Sequence, residues 1–289
     1  MSRARRKQAQ AGAGAAEPDL LLDPALTVRI LAGFIRTEVL RTGRSRVVLG
    51  LSGGIDSAVA AYLAVRALGP QSVVAIVMPY RSSSPDSVSD AESVIGALGI
   101  LAEKVDISPL VDGFDRVSGK VSRLRLGNVM ARARMMVLYD RSEQYAALVL
   151  GTSNKTELLL GYGTLWGDLA SALNPLGDLY KTQVRAIAEY LLVPSRIRKK
   201  PPSADLWPTQ SDEADLGFSY ERVDRLLALL VDARLDRDAA VAAGFDRKMV
   251  DRVARLVVRS QFKRRPPIIA KISTRTVGWD FRYPRDWKS

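Results

Sequence analysis

Short apolar runs alternate with helical patterns along the first half of this chain. Runs typical of buried strands occupy residues 46–51, 72–78, 100–105 and 147–150. Apolar residues at helical spacing occupy residues 23–41, 55–68, 86–98 and 121–145. Strands that alternate with helices predict an α/β fold, a doubly wound parallel sheet with helices on both faces. Right-handed crossovers bring the carboxyl ends of the strands together, so we expect ligands to bind at that edge.

The second half of the chain has a different pattern. Residues 194–217 are rich in proline and charge, but Leu206 and Trp207 offer apolar surface, which favours an ordered functional loop. Helical patterns resume at residues 219–231, 236–243 and 247–260. We therefore predict a disordered basic tail over residues 1–20 and a single domain over residues 21–289 with a helical C-terminal part.

The composition restricts the chemistry available to the 289 residues. The chain contains no cysteine and no histidine. This excludes disulfides, thiolate metal sites and thiol nucleophiles, and it removes the commonest general base near neutral pH. Catalysis must therefore use carboxylates, lysine, arginine, hydroxyls, backbone amides or a bound metal. No apolar run approaches the roughly 18 residues of a membrane span, and no signal-peptide pattern is present, so we expect a cytoplasmic protein with no membrane partner.

The charge balance raises the question of a nucleic-acid partner. The formal net charge is +12, from 43 basic and 31 acidic residues. Compact basic clusters lie at residues 196–200 and 263–265. Neither cluster has the interleaved aromatic residues of a base-stacking surface. A solvated basic face or contacts to nucleotide phosphates explain them about as well, so the sequence does not favour a nucleic-acid partner.

The stretch Ser52-Gly53-Gly54-Ile55-Asp56-Ser57 carries the strongest chemical signal, because it joins the first predicted strand to a helix. Two adjacent glycines permit a tight turn that points several N–H groups at one spot, and the helix N-terminus adds positive potential there. The hydroxyls of Ser52 and Ser57 flank that spot. We predict an oxyanion-binding loop, and it is not of the G-x-x-x-x-G-K-[ST] type, because no lysine closes it.

This loop resembles the S-G-G-x-D-S pyrophosphate loop of the N-type ATP pyrophosphatases. Other segments extend the resemblance to ammonia-dependent NAD synthetases over residues 25–268, including a G-N-x-x-A-R-x-R-M helix and a G-D-L-Y-K-T-Q-V stretch. The matching segments, in family order, are residues 52–57, 78–85, 127–135, 151–158, 177–184, 202–217 and 263–267. The chain is identified as a member of that family by this collinear set, which implies an adenine nucleotide alpha hydrolase-like fold.

The resemblance also implies roles for individual residues. The ATP-binding residues would be Gly50, Ser52, Gly53, Gly54, Asp56, Ser57, Arg81, Thr152, Lys181 and Ser203. The substrate-binding residues would be Asn128, Arg132, Arg134 and Lys263, with Lys263 folding over the nucleotide phosphates. The catalytic residues would be Asp56, Lys181 and Asp168, with Lys181 on the phosphates and Asp168 steering or deprotonating ammonium. Asp56 and Glu157 follow neighbouring strands, and the resemblance places Mg²⁺ between them and ATP, as suits a hard cation.

The implied reaction is the ATP-dependent amidation of a carboxylic acid. The carboxylate of deamido-NAD would attack the α-phosphorus of ATP, giving an acyl-adenylate and pyrophosphate. Ammonia would then displace AMP to give NAD. No side-chain nucleophile is needed, which agrees with a chain that lacks cysteine and histidine. Family members are typically homodimers, and the helix over residues 121–145 is a plausible contact surface.

The predicted substrate loop departs from the family pattern. The family reads F-T-K-[YHF]-G-D-G-x-A-D where this chain has residues 163–172. The first aromatic residue is replaced by Gly163, the lysine by Leu165 and the last aspartate by Ala172. These positions face the nicotinate ribosyl end of the acceptor in the family. Two interpretations stay open: compensating residues serve deamido-NAD, or the enzyme amidates a different carboxylic acid.

Two further alternatives belong to other functional classes. A tRNA-modifying ATP pyrophosphatase would share the first loop and suit the positive charge, although thiolating versions need cysteine. A noncatalytic binding protein could arise from a dead enzyme, but the retention of Asp56, Glu157 and Lys181 argues against it.

Overall fold

Parallel strands form the centre of the fold. The computed structural model describes residues 20–119, 121–203, 205–207, 210–265 and 267–277, so the predicted tail lies outside the described residues apart from Leu20. Within these ranges there are four strands: β1 Arg46–Gly50, β2 Val73–Val77, β3 Leu101–Lys104 and β4 Ala147–Val149. All pair in parallel, in the order β3-β2-β1-β4. The predicted α/β fold is confirmed.

The sheet reverses its winding direction at β1. The chain steps from β1 to β2 and then β3 on one side, and β4 returns to the other side of β1. Val47 pairs with Val73 of β2 and with Leu148 of β4. Ligands of such sheets bind where the strand order reverses, beyond the carboxyl ends of the strands. The segments that follow β1 and β4 therefore flank the expected site.

Helices cover the sheet and form the C-terminal part. Those before β4 are α1 Pro24–Arg41, α2 Ile55–Leu68, α3 Pro85–Leu98, α4 Ser108–Ser118 and α5 Arg123–Gln144. Those after β4 are α6 Lys155–Leu160, α7 Lys181–Tyr190, α8 Ser195–Lys199, α9 Asp212–Leu216, α10 Tyr220–Leu227, α11 Arg237–Ala242 and α12 Arg247–Arg259. A π-helical turn at Ala228–Asp232 continues α10, and 3₁₀ turns occur at Pro70–Ser72 and Gln261–Arg264. Helix α4 has no counterpart in the sequence prediction.

Local signals set several of the helix ends. Asp23 precedes α1, and its carboxylate accepts the Leu26 N–H at 3.1 Å, with Pro24 in the first helical position. Proline also opens α3, where its fixed φ is already helical and no N–H is lost. Gly99 ends α3 in the left-handed conformation, with φ +61°. These are the start and stop signals that sequence reading uses.

Alternate strand residues supply two separate cores. In β1, Val47 and Leu49 face a cluster shared with α1, α2 and α7, whereas Val48 faces the opposite cluster beneath α5. Both faces of the sheet are therefore covered, as the continuous apolar runs predict. A third cluster joins α6 and the C-terminal helices around Tyr180 and Tyr220. This third cluster borders the end of the sheet where the site lies.

Candidate active site

The glycine loop after β1 is held tightly against the start of α3. Gly53 has φ +75°, and a Cβ atom at this position would lie only 2.2 Å from the backbone oxygen of Ser87. Only glycine fits both the backbone angle and the space. The Ser52 and Ser57 hydroxyl oxygens are 3.1 Å apart, and the Ser57 hydroxyl lies 3.0 Å from the backbone oxygen of Gly54, to which it donates. The predicted turn is therefore present and internally braced.

Helix α2 begins directly after this turn. Among the described residues no side chain caps it, since Gly54 stands at the N-cap position. Its first N–H groups and its dipole are available to an anion. Asp56 lies in that first turn with its side chain 17% exposed. An anion at the loop would thus meet both backbone donors and a carboxylate able to hold a metal.

Lys181 joins the segments that follow β1 and β4. Its ammonium lies 2.5 Å from Oδ2 of Asp56 and 3.2 Å from Oε1 of Glu157. The Lys181 side chain is only 3% exposed. The predicted phosphate lysine and the two predicted metal ligands therefore form one cluster beside the glycine loop, although they are up to 125 positions apart in sequence.

Asn154 fixes both carboxylates of this cluster. Its side-chain amide donates to Oδ1 of Asp56 at 2.9 Å, and its backbone N–H donates to Oε2 of Glu157 at 3.2 Å. Asn154 and Glu157 form a capping box at the start of α6. All four carboxylate oxygens of the pair thus have polar partners. The box is visible in the sequence as an Asn followed three residues later by Glu, but the sequence analysis gave Asn154 no role.

The electrostatics of the cluster follow from burial and close charge. Burial raises the pKa of Glu157 to about 8, although the Lys181 ammonium opposes this. Burial alone would lower the pKa of Lys181, but Asp56 and Glu157 outweigh it and leave that pKa raised. The lysine therefore stays charged. A buried cation is being held by acidic partners, as buried charges require.

Aromatic and acidic residues of the C-terminal part close the far side of the cluster. The Lys181 ammonium lies 5.2 Å from the centre of the Tyr220 ring. Asp212 is buried and accepts the Tyr162 hydroxyl at 2.9 Å and the Tyr220 hydroxyl at 3.3 Å. Burial raises the pKa of Asp212. These residues tie α9 and α10 to Tyr162, just before the substrate loop.

Asp224 fixes the backbone around Lys181 through hydrogen bonds. This fully buried carboxylate accepts the Thr156 hydroxyl at 2.6 Å and the Thr182 N–H at 2.8 Å. The Thr156 oxygen in turn accepts the Lys181 N–H at 3.0 Å. Three hydrogen bonds therefore fix the first turn of α7. No sequence pattern marks Asp224, because its partners lie on α6 and α7, which are distant from α10 in the sequence.

The substrate loop, residues 163–172, and the two residues before it are held by side chains from two other segments. From α5, Asn128 Oδ1 accepts the Thr164 hydroxyl at 2.8 Å and Arg132 donates to the Leu165 backbone oxygen at 3.3 Å. Lys263 donates to the backbone oxygens of Gly161 and Gly163 at 2.8 and 2.7 Å. Three residues predicted to bind substrate therefore shape the loop in this structure.

Asp168 lies on the same loop. Its carboxylate accepts the Thr164 N–H at 2.7 Å through Oδ1. Its other oxygen faces the space beside Gly163, where a Cβ atom would lie 3.0 Å from it. The Thr164 N–H thus orients the side chain, and its second oxygen faces the space beside Gly163. That arrangement suits the predicted contact with ammonium.

The remaining predicted site residues lie around this centre. Arg81 pairs with Asp112 and lies over the Tyr80 ring, 5.3 Å from its centre. Arg134 is packed inward, and its Nε donates to the Met78 backbone oxygen at 3.1 Å. Gly50 ends β1, and a Cβ atom there would lie 3.0 Å from the methyl carbon of Met78. Thr152 is half-buried after β4, and Ser203 is exposed and accepts the Asp205 N–H at 3.1 Å.

Three residues of the first basic cluster pair with acidic side chains behind the glycine loop. Asp90 of α3 is 2% exposed and accepts both Arg196 Nε and Lys200 Nζ at 2.9 Å. Arg196 also pairs with Asp86 at 2.6 Å, and Arg198 lies 3.8 Å from Glu189. Lys200 lies within the proline-rich loop, and farther along Asp205 accepts the Ser84 N–H at 3.2 Å. The cluster therefore fastens that loop to α3.

Two kinds of feature are absent from the described residues. In the described ranges, no helix has both the length and the apolar character that a membrane crossing requires. Within the same ranges, no three acidic side chains converge into a complete metal site. The Asp56–Glu157 pair supplies two carboxylates, and Mg²⁺ commonly binds one or two carboxylates together with phosphate oxygens and water. The donor set fits a cation that arrives with a nucleotide.

Comparison with protein families identifies the relationship. The NAD synthase family model matches residues 27–267. An "NH(3)-dependent NAD(+) synthetase" from Chlorobaculum tepidum is 56% identical over 270 residues, covering 93% of this chain and 98% of that protein. A protein of the same description from Fusobacterium nucleatum is 46% identical, covering 84% of this chain and 94% of its own length.

Solved structures agree with this relationship. An NH3-dependent NAD synthetase from Campylobacter jejuni, in complex with nitrate, superposes with a TM-score of 0.75 at 35% identity, covering 86% of this chain and 100% of its own. An NMN synthetase from Francisella tularensis superposes with a TM-score of 0.76 at 33% identity, covering 86% of this chain and 99% of its own. The similarity therefore extends over the sheet, the glycine loop and the C-terminal helices.

Proposed function

This chain belongs to the NAD synthase family, and we propose that it amidates deamido-NAD with ammonia and ATP, releasing AMP and pyrophosphate. It is a carbon–nitrogen ligase of the ammonia-dependent NAD synthetase type. The observation that carries the proposal is the cluster of Lys181, Asp56 and Glu157 beside the glycine loop. Substrates are small molecules, and ATP is the co-substrate.

In the first step the glycine loop binds the phosphates that leave as pyrophosphate. Backbone N–H groups near Gly53 and Gly54, with the N-terminus of α2, face the negative charge that develops there. Lys181 adds an ammonium from the β4 side. The acceptor carboxylate displaces pyrophosphate from the α-phosphorus. The protein contributes position and charge stabilisation, and no side chain becomes covalently attached.

Asp56 and Glu157 would hold Mg²⁺ through their carboxylate oxygens. The ion would supply Lewis-acid stabilisation of the phosphate charge when bound. Asn154 orients both carboxylates for this role through its two N–H donors. The proposal is supported by the hard oxygen donors of the pair and by its position beside the loop.

In the second step ammonia displaces AMP from the acyl-adenylate. Asp168 would attract ammonium to the substrate loop and accept a proton on the carboxylate oxygen that faces Gly163. Asn128, Arg132 and Lys263 hold the backbone of this loop, so they would position the acceptor chiefly through it. Arg81 and Ser203 lie outside the central cluster and would contact the nucleotide once it is bound.

The identity of the acceptor is the part of the proposal that the substrate-loop differences from the family pattern affect. Leu165 and Ala172 remove a cation and an anion from the family's substrate loop, and the Francisella tularensis relative carries the name NMN synthetase. We propose deamido-NAD as the acceptor, and the carboxylic acid corresponding to NMN is the alternative. A tRNA acceptor is not supported, because Arg196, Arg198 and Lys200 pair with acidic residues.

A turnover assay tests the proposed reaction. Purified protein is incubated with ATP, Mg²⁺, ammonium and one acid, either deamido-NAD or the acid form of NMN, and the products are read by mass spectrometry. We expect NAD, AMP and pyrophosphate from deamido-NAD. Formation of ADP and phosphate would refute adenylation, and amide formation from the mononucleotide alone would replace deamido-NAD with the alternative acceptor.

We also propose that the chain is a cytoplasmic homodimer. Helix α5 exposes Leu124, Met136 and Tyr139, which are 70%, 52% and 42% exposed. These apolar side chains support α5 as the contact surface. Light scattering coupled to size-exclusion chromatography measures the mass, and Met136→Glu should convert a dimer to a monomer. Cell fractionation with an antibody to the protein tests the location.

A further inference from the structure

Lys181 occupies the space between the two carboxylates that the proposed function assigns to a metal. Its ammonium contacts Oδ2 of Asp56 and Oε1 of Glu157 at the same time. The other oxygen of each carboxylate accepts an N–H of Asn154. A metal that bridges the pair would therefore compete for the same two oxygens as Lys181.

Both cations cannot occupy this position together. Mg²⁺ binds oxygen at about 2.0–2.1 Å, and an ammonium bridging the same oxygens would then lie within a few ångströms of a divalent charge. Such a contact is strongly repulsive at the low exposure of this site. In addition, both carboxylates can stay ionised at this low exposure only with a cation beside them, because buried unpaired carboxylates are costly. One cation must replace the other.

The Lys181 side chain can move away from the two carboxylates without disturbing its own backbone. Thr156 and Asp224 hold the first turn of α7 through the N–H groups of Lys181 and Thr182. The four-carbon stem of lysine carries a rotatable point charge. Nucleotide phosphates at the glycine loop would offer that charge new partners close to where it now lies.

We propose that Lys181 is an exchangeable cation that closes the metal site of the nucleotide-free chain. Arrival of ATP transfers the ammonium to phosphate and opens the Asp56–Glu157 pair to the metal. This inference rests on the proposed metal role of that pair. It predicts that metal and nucleotide bind interdependently, with little metal bound in the absence of nucleotide.

Mn²⁺ binding measured by electron paramagnetic resonance tests the exchange without any turnover. Mn²⁺ alone is titrated into the full chain, into Lys181→Met and into Lys155→Met. We expect Lys181→Met to bind Mn²⁺ about tenfold or more tighter than the unaltered chain, because the competing charge is gone. Lys155→Met removes an equal charge that pairs with Asp178 and Asp232 at 3.1 and 2.9 Å, so its affinity should stay close to that of the unaltered chain.

Two further measurements secure the outcome. Lys181→Gln keeps a hydrogen-bond donor for Asp56 without charge, and it should show the same gain if the methionine variant does not fold. In the unaltered chain, an ATP analogue that cannot be cleaved between its α and β phosphates should tighten Mn²⁺ binding, and this coupling should shrink in the Lys181 variants.

Equal Mn²⁺ affinity in the unaltered chain and the Lys181 variants, without nucleotide, overturns the exchange while leaving the metal site in place. Failure of the proposed metal site itself would give a different result. If Mn²⁺ does not bind even with the analogue, or if binding survives in Asp56→Asn/Glu157→Gln, the pair is not the metal site, and the exchange fails with it.

Discussion

Gly163 and Leu169 share one volume beside the Asp168 carboxylate. A Cβ atom on Gly163 would lie 2.7 Å from Cδ2 and 2.9 Å from Cγ of Leu169. The family pattern has an aromatic residue at the position of Gly163 and a glycine at that of Leu169, so the large and small residues have changed places. Leu169 therefore fills volume that an aromatic side chain at position 163 would need.

This exchange predicts strong coupling between the two positions. Gly163→Phe alone should lower the free energy of unfolding by about 1–3 kcal/mol, because it overpacks the space that Leu169 fills. Gly163→Phe/Leu169→Gly should recover at least about 1 kcal/mol of that loss, as contacting residues do in a double-mutant cycle. Urea denaturation of the unaltered chain, Gly163→Phe, Leu169→Gly and the double variant measures the coupling. Additive effects would show that the two side chains do not share the volume.

The glycine loop allows a matched comparison of neighbouring glycines. Gly53→Ala should lower the free energy of unfolding by at least about 2 kcal/mol, because it adds left-handed strain to a contact of 2.2 Å with the Ser87 backbone oxygen. Gly54→Ala should change it by less than about 1 kcal/mol, because Gly54 has φ −87° and, among the described residues, its Cβ would meet the Ser52 hydroxyl alone, at 3.3 Å. Thermal unfolding of both variants measures this, and equal losses would contradict the packing of α3 on the loop.

The sequence predicts this loop well because its information is local. A strand, two glycines and a helix start are contiguous, and each has its own signal. Parallel strand ends then place Asp56 and Glu157 at one edge of the sheet. Asp224 and Tyr220 could not be found this way. Their contacts with Thr156 and Lys181 depend on how the C-terminal helices pack, and a buried Asp and a surface Asp on a helix look the same in sequence.

The role of Asp56 is tested by comparing two carboxylates. Asp56→Asn removes the charge that holds Lys181 and the proposed metal, so AMP formation should fall by roughly 10²–10³-fold, the scale of losing one preorganised electrostatic group. Asp178→Asn removes a carboxylate that is 97% exposed and pairs with Lys155, and it should leave the rate within about twofold. AMP release is measured at saturating ammonium, with circular dichroism to verify folding. Retained activity in Asp56→Asn would remove the metal and phosphate role from this residue.

Asp224 is predicted to act by positioning Lys181. Asp224→Asn replaces one acceptor oxygen with a donor that must face either the Thr156 hydroxyl or the Thr182 N–H. A mispaired buried polar group costs about 1–3 kcal/mol, and the first turn of α7 should shift. The KM for ATP should rise more than the KM for the acceptor acid, because Lys181 serves the phosphates. Steady-state kinetics with each substrate varied in turn separates the two, and equal changes would indicate a loss of stability alone.

Glu157 makes a specific contribution to the pH dependence of stability. Burial raises its pKa from 4.5 to about 8, so between these values the folded chain binds more protons than the unfolded chain. The contribution is fully present below pH 4.5 and is lost as the pH rises to about 8. Relative to Glu157→Gln, the unaltered chain should therefore lose at least about 1 kcal/mol of unfolding free energy between pH 5 and 8. Glu103 serves as a control of opposite sign, because hydrogen bonds from Tyr145 and Arg141 lower its pKa and its contribution is lost only as the pH falls below its ordinary value. Urea denaturation from pH 8 to below pH 4.5 measures both differences, and parallel curves for the unaltered chain and Glu157→Gln between pH 5 and 8 would show that Glu157 is ionised throughout.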